Sequence, residues 1–315
     1  MRSAYRLSWR AVADQAPYAW SNQEDHSWLS RVKRASMVAT LLVGLVVLSG
    51  CEYSYTGAGF PIIEENPNAE PWFNVYRPAD MVNAVETKGH LLPVIVWANG
   101  GCFRADFPWQ PLFKRWAAEG YVVLALSEAP AAEGGALGVT TVADHGAMID
   151  WALTQSPYVD MLDSTRVVAA GNSCGGVTAL GLAARDPRVT AVFVLSGSSA
   201  IGSSSKTIMQ AITAPVGYVV GGSIDVAAGP ALQDYNNLPD DAPAMVVRRA
   251  RVDHLTLSTN VAMLEKSADI AYRWMDLVLY GSESSYAVLT SETVCPTCKP
   301  GDWSLTAKNL DTLIQ

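Results

Sequence analysis

Basic residues are in short supply in this chain. Lys and Arg total 22 against 30 Asp and Glu, giving a formal charge of −8 and a pI near 5.0. Nucleic acid calls for a basic stripe, so it is excluded as a partner. The small basic cluster Arg248, Arg249 and Arg251 reads as a solvated strand edge rather than an anion site. No internal repeat or low-complexity tract is present, which removes solenoid and array architectures. The apolar stretch from Met37 to Leu48 falls short of the roughly 20 residues that span a bilayer comfortably. Histidine is scarce, with only His26, His90, His145 and His254 in 315 residues. Any chemistry that needs an imidazole therefore has few candidates.

What is present is concentrated at one motif. The apolar run Val167 to Ala170 leads into Gly171-Asn172-Ser173-Cys174-Gly175, and a small-residue helical run from Val177 to Arg185 leaves it. Strand, G-x-S-x-G and helix in that order form a nucleophile elbow. The turn is so sharp that residues two places either side of the serine must be nearly free of side chain, hence Gly171 and Gly175. Gly176 lets the helix pack closely on the sheet. The amide of Cys174 then lies at a helix N-terminus, where negative charge is favoured.

A serine hydroxyl is a weak nucleophile at its free pKa and needs a base, most often histidine. Behind such an elbow the acid and then the base follow the serine along the chain. Only His254 follows Ser173, in a loop after the strand-like run Ala244 to Arg249. Between them there is no glutamate, and the aspartates are Asp186, Asp225, Asp234, Asp240, Asp241 and Asp253. Asp186 closes the elbow helix, Asp240 and Asp241 sit in a polar loop, and Asp253 is adjacent to the base. Asp225 follows the apolar run Ala214 to Gly222, which reads as a buried parallel strand, and a loop at that strand's carboxyl end is the expected position. Asp225 is the predicted acid and Asp234 the reserve.

A tetrahedral oxyanion needs donors already aimed at it. One predicted donor is the amide of Cys174. The other follows the apolar run Leu92 to Ala98, in Asn99-Gly100-Gly101-Cys102-Phe103, with Gly101 the predicted donor and Cys102 its alternative. Phe103 and Trp109, just beyond, are candidates to line an acyl pocket.

These stretches together, with Gly221 to Asp225 and Asp253-His254, resemble the α/β-hydrolases related to dienelactone hydrolases and polyester hydrolases. The similarity runs from about Trp72 to Gly281. It implies an α/β-hydrolase fold with a mostly parallel, eight-stranded sheet and helices on both faces. It also implies a serine hydrolase acting on esters, with no cofactor and no metal. The chain departs from the family at the Asn-Gly-Gly-Cys loop, where many relatives carry a bulkier or histidine-containing one. It departs again at Cys174, where methionine or glutamine is commoner. Both departures bear on substrate more than on reaction type.

The front of the chain carries a second signal. Arg31 to Arg34 is basic, Met37 to Leu48 is apolar, and Leu48-Ser49-Gly50-Cys51 follows. That order describes a secretory signal, and its end resembles the bacterial lipobox, which implies cleavage before Cys51 and a lipid on its sulfur. Residues 1–30 suit no targeting role, so translation is expected to start downstream, near Val32. Loss of the first 50 residues leaves 265, a length that suits one α/β domain. The expected organisation is a leader over 1–50, a tether over 51–70, a domain over 71–281 and a tail over 282–315 packed on that domain. The expected location is a bacterial cell envelope, with membrane contact through the lipid anchor.

Cysteine usage fits an oxidising compartment. Cys295 and Cys298 are expected to form a local bridge bracing the tail. Cys102 and Cys174 face each other if both flank the oxyanion site, either as a bridge or as two inert thiols. The functional expectation is cleavage of carboxylic esters by Ser173, His254 and Asp225. A non-catalytic envelope lipoprotein using the scaffold for binding, and an exopeptidase or amidase with Ser196 to Thr213 as a small lid, are the competing readings.

Overall fold

Buried runs of Val, Ile, Leu and Ala alternate with amphipathic stretches along the chain, a pattern that yields strands separated by helices. A computed structural model describes residues 59–67, 69, 71–127, 140–199 and 205–314. Among them are nine strands: β1 (Ile62–Glu65), β2 (Phe73–Pro78), β3 (Leu92–Ala98), β4 (Val122–Leu126), β5 (Leu162–Asn172), β6 (Val189–Leu195), β7 (Val216–Val220), β8 (Ala244–Arg249) and β9 (Trp303–Lys308). The helices are α1 (Met81–Lys88), α2 (Gln110–Ala118), α3 (Val142–Thr154), α4 (Cys174–Ala183), α5 (Ser205–Ala211), α6 (Ala228–Asn237), α7 (His254–Thr259), α8 (Val261–Tyr280) and α9 (Glu283–Leu289). Residues 1–50 and Cys51, with the expected leader and lipidation site, lie outside the described residues.

All nine strands join one sheet in the order β1-β2-β4-β3-β5-β6-β7-β8-β9. The six from β4 to β8 run parallel, and β1, β2 and β9 pair antiparallel at the two sides. The chain is therefore α/β with a mostly parallel sheet, as expected, but with nine strands among the described residues rather than eight. Each central strand is buried on both faces, as parallel strands between helices must be. Along β3, Val94, Val96 and Ala98 enter one core with α3, α4 and α6, while Ile95 and Trp97 enter the other with α2 and α8. Pro93 has no N–H to give the ladder, and the β3–β5 register shifts between Leu92 and Val94.

Three expectations are corrected. Part of the tether is a strand, since Ile62 to Glu65 pairs with Pro78 to Val75. The tail does pack on the domain, and it does so by adding a strand to the sheet: Trp303 to Lys308 pairs with Arg249 to Ala244. That pairing also means β8 is no edge, and Arg249 reaches Asp302 at 3.1 Å. The stretch Ser258 to Tyr280, whose amphipathic pattern reads as one long helix, breaks at Asn260, whose side chain caps α8 by accepting from the amide of Met263.

His145 is fully buried on α3, and burial holds its pKa down to about 4. The unfolded chain takes a proton on this ring near pH 6.5, whereas the folded chain takes it only near pH 4. Between those values the unfolded state binds more protons, so acid erodes stability across that window. Urea unfolding at pH 7 and pH 4.5 should show a loss of stability that is smaller in His145→Gln. Equal losses in both proteins would mean that the ring titrates normally.

Candidate active site

The turn from β5 into α4 is built by the absence of side chains. A methyl on Gly175 would strike the carbonyl of Ala98, and one on Gly171 would strike the backbone of Gly175. A methyl on Gly176 would lie 2.6 Å from Cγ1 of Val194 on β6. Ser173 between them has φ 51 and ψ −114, a conformation that non-glycine residues seldom adopt. Its amide donates to the carbonyl of Leu195 at 2.9 Å, and its own carbonyl accepts from Gly176 at 2.9 Å. The hydroxyl is thereby presented at the carboxyl end of the sheet, half-buried.

His254 opens α7. Asp253 caps this helix, accepting from the amide of Thr256 at 3.0 Å and its hydroxyl at 2.7 Å, so the acid beside the histidine is occupied with capping. Imidazole Nε2 lies 2.9 Å from Oγ of Ser173, and Nδ1 lies 2.8 Å from Oδ1 of Asp225. Asp225 is buried in the loop after β7. Its Oδ2 accepts from Oγ of Ser196 and from the amide of Gly221, both at 2.7 Å, and its Oδ1 also accepts from the amide of Ala227 at 2.9 Å. Burial alone would raise this carboxyl, but the bonds from His254, Ala227, Ser196 and Gly221 outweigh it and bring the pKa down to about 2. Near neutral pH Asp225 is an ionised acceptor, so Nδ1–H of His254 donates to it. Nε2 is left to accept the proton of the Ser173 hydroxyl.

The reserve acid lies elsewhere. Asp234, on α6, is fully buried and accepts from the hydroxyls of Ser198 at 2.7 Å and Ser199 at 2.6 Å, and from the amide of Ser199 at 2.6 Å. It pins the start of the stretch considered as a lid, whose residues 200–204 are outside the described set. Phe103 packs its ring over Gly101, within 2.6 Å of where a Cβ would sit. Trp109 is a core residue, buried against Trp97, and the exposed ring of its turn is Phe107.

The two predicted amide donors are carried by segments that are covalently joined. Cys102 and Cys174 form a disulfide with Cα atoms 5.2 Å apart, and Cys295 bridges Cys298. Cys174 is the first residue of α4, where the amides have no acceptor within the helix. Gly101 sits at φ 66 in the turn Gly100–Cys102, a conformation open to glycine.

Two residues escaped the sequence reading. Ser196 at the end of β6 holds Asp225, and Asn172 holds the histidine helix by donating at 2.9 Å to Oγ of Ser258. A serine directly after a buried strand was the available signal for the first; the second had none. Among the described residues no group of three or more His, Cys, Asp or Glu is placed to hold a metal ion, and no helix is long and apolar enough to cross a membrane. No protein-family model matches the chain, and no curated protein does either.

Gly175→Ala should cost about 3 kcal/mol or more, since the colliding atom is backbone and cannot swing away. Gly229→Ala on α6, where a methyl meets nothing within 4 Å, should leave stability unchanged or slightly higher. Thermal unfolding of the two variants side by side checks both.

Proposed function

We propose that this chain is a serine hydrolase of the α/β-hydrolase type that cleaves carboxylic esters through an acyl-enzyme. The observation that carries the reading is the unbroken hydrogen-bonded line Ser173–His254–Asp225 at the carboxyl ends of β5, β8 and β7. Ser173 attacks the ester carbonyl while Nε2 of His254 takes its proton. Asp225 keeps the imidazole in the required tautomer and stabilises its cation. The amides of Cys174 and of Gly101 or Cys102 receive the oxyanion. His254 returns the proton to the departing alcohol, then activates water that releases the acid from Ser173.

The surroundings favour uncharged esters with an apolar arm. Ile224 and Val226, 61% and 76% exposed, flank Asp225, and the exposed Leu255 follows His254. The turn carrying Phe107 packs against α7. Solvent-facing β-branched and aromatic side chains on the loops that supply the site are suited to an acyl or alcohol chain and unsuited to an ionised substrate. The lipobox-like Leu48 to Cys51 supports placement of the enzyme on a bacterial envelope membrane through a lipid on Cys51.

Ser173→Ala should lower hydrolysis of p-nitrophenyl acetate by roughly 10⁴ to 10⁶ with the fold retained. A fluorophosphonate should label Ser173 in the unaltered protein, and full activity without labelling would reject the assignment. Asp225→Asn should lose on the order of 10⁴ in kcat, whereas Asp234→Asn should lose stability first.

The chain-length profile tests the substrate side. kcat/KM should rise from the acetyl to the octanoyl p-nitrophenyl ester. The double variant Ile224→Ser, Val226→Ser should flatten that rise while leaving the acetyl ester unaffected.

A further inference from the structure

One covalent bond at the site has no task in the mechanism above. The Cys102–Cys174 disulfide spans 72 residues of chain and joins the turn Gly100–Cys102 to the first residue of α4, directly after Ser173. These are the two backbone segments assigned to the oxyanion. Both segments also carry backbone at positive φ: Gly101, Cys102 and Ser173 have φ of 66, 56 and 51. A non-glycine residue stays in that region only when its surroundings hold it there. Ser173 is held by the carbonyl of Leu195. Cys102 is held by the bridge on its side chain and by Thr140, whose amide donates to its carbonyl at 3.1 Å. The two glycines before it give the turn freedom, and freedom is a loss where amides must be aimed before the reaction begins.

We infer that the Cys102–Cys174 disulfide is the positioning element of the oxyanion site. It sets the separation between the amide of residue 174 and those of residues 101 and 102, so the ester is turned over at full rate only in the oxidised protein. Formation of the bridge removes one hydrogen from each thiol. The two electrons and two protons pass to a disulfide-form oxidant, which leaves as the dithiol. Chain kept in a reducing compartment would fold, bind ester and react slowly. The inference rests on the serine hydrolase reading. A purely structural bridge would act on the unfolded chain, lowering the melting temperature when removed and leaving turnover of the folded protein alone.

The test compares three proteins with p-nitrophenyl butyrate at a temperature where near-ultraviolet circular dichroism shows each folded: unaltered, Cys102→Ser with Cys174→Ser, and Cys295→Ser with Cys298→Ser. The first pair of substitutions should lower kcat at least about tenfold, short of the roughly 10² to 10³ lost when an oxyanion donor is deleted outright. KM should hardly move. Phenylboronic acid, which forms a tetrahedral adduct on the serine, should weaken by the same factor as kcat. Dithiothreitol should slow the unaltered and the tail-bridge proteins alike and leave the Cys102/Cys174 variant as it was. Should that variant fail to fold, dithiothreitol acting on the tail-bridge protein, with thiols counted, decides. Unchanged kcat once the bridge is open, or a rise in KM alone, overturns the inference. If the unaltered protein neither hydrolyses ester nor takes up a fluorophosphonate, the hydrolase reading itself fails.

Discussion

Backbone lies directly on backbone where the β5–α4 turn meets the end of β3, and the contact exists only because residues 171 and 175 carry no side chain. The Ser173 segment and the loop after β3 are thereby brought together by one close approach. From it follow the unusual backbone of Ser173, the placement of the first turn of α4 beside Gly100–Cys102, and the proximity that lets two cysteines 72 residues apart meet. The remaining groups are delivered from the other side, by loops after β7 and β8. A parallel sheet gathers such loops at one end, so residues remote in sequence converge without special folding of the chain between them.

Two aspartates illustrate how similar residues are assigned different work. Asp225 and Asp234 are both buried, and both are surrounded by hydroxyl and amide donors, as a carboxylate withdrawn from water requires. Asp234 gives its oxygens to Ser198 and Ser199 and so fixes a loop. Asp225 shares one oxygen between the amide of Ala227 and the imidazole of His254, and so meets the ring that Asp234 does not.

Much of this was legible in the amino-acid order. The elbow glycines, the solitary histidine behind the serine and the aspartate after a buried strand are local signals tied to chemistry that admits few residue types. Asp225 could be separated from Asp234 because position relative to a strand end is itself a local pattern. Ser196 and Asn172 were not read as donors, because their partners lie 29 and 86 residues away; the place of Ser196 directly after a buried strand is a faint signal, and Asn172 carries none. Trp109 was assigned to a pocket and belongs to the core, since an aromatic ring gives no sign of the side from which it is covered. The edge strands were missed for a related reason. Ile62–Glu65 and Trp303–Lys308 are short and mixed in polarity, so they read as tether and tail until a partner strand is supplied.

The outer strand Trp303–Lys308 has an effect that reaches past its own residues. Until it docks, the hydrogen-bonding groups along one side of Ala244–Arg249 are open, next to a sheet whose interior is apolar. An open row of that kind is a template for another polypeptide. During synthesis, the molecule is therefore most exposed to self-association in the interval before this late segment arrives, when the residues around Ser173 can already be in place.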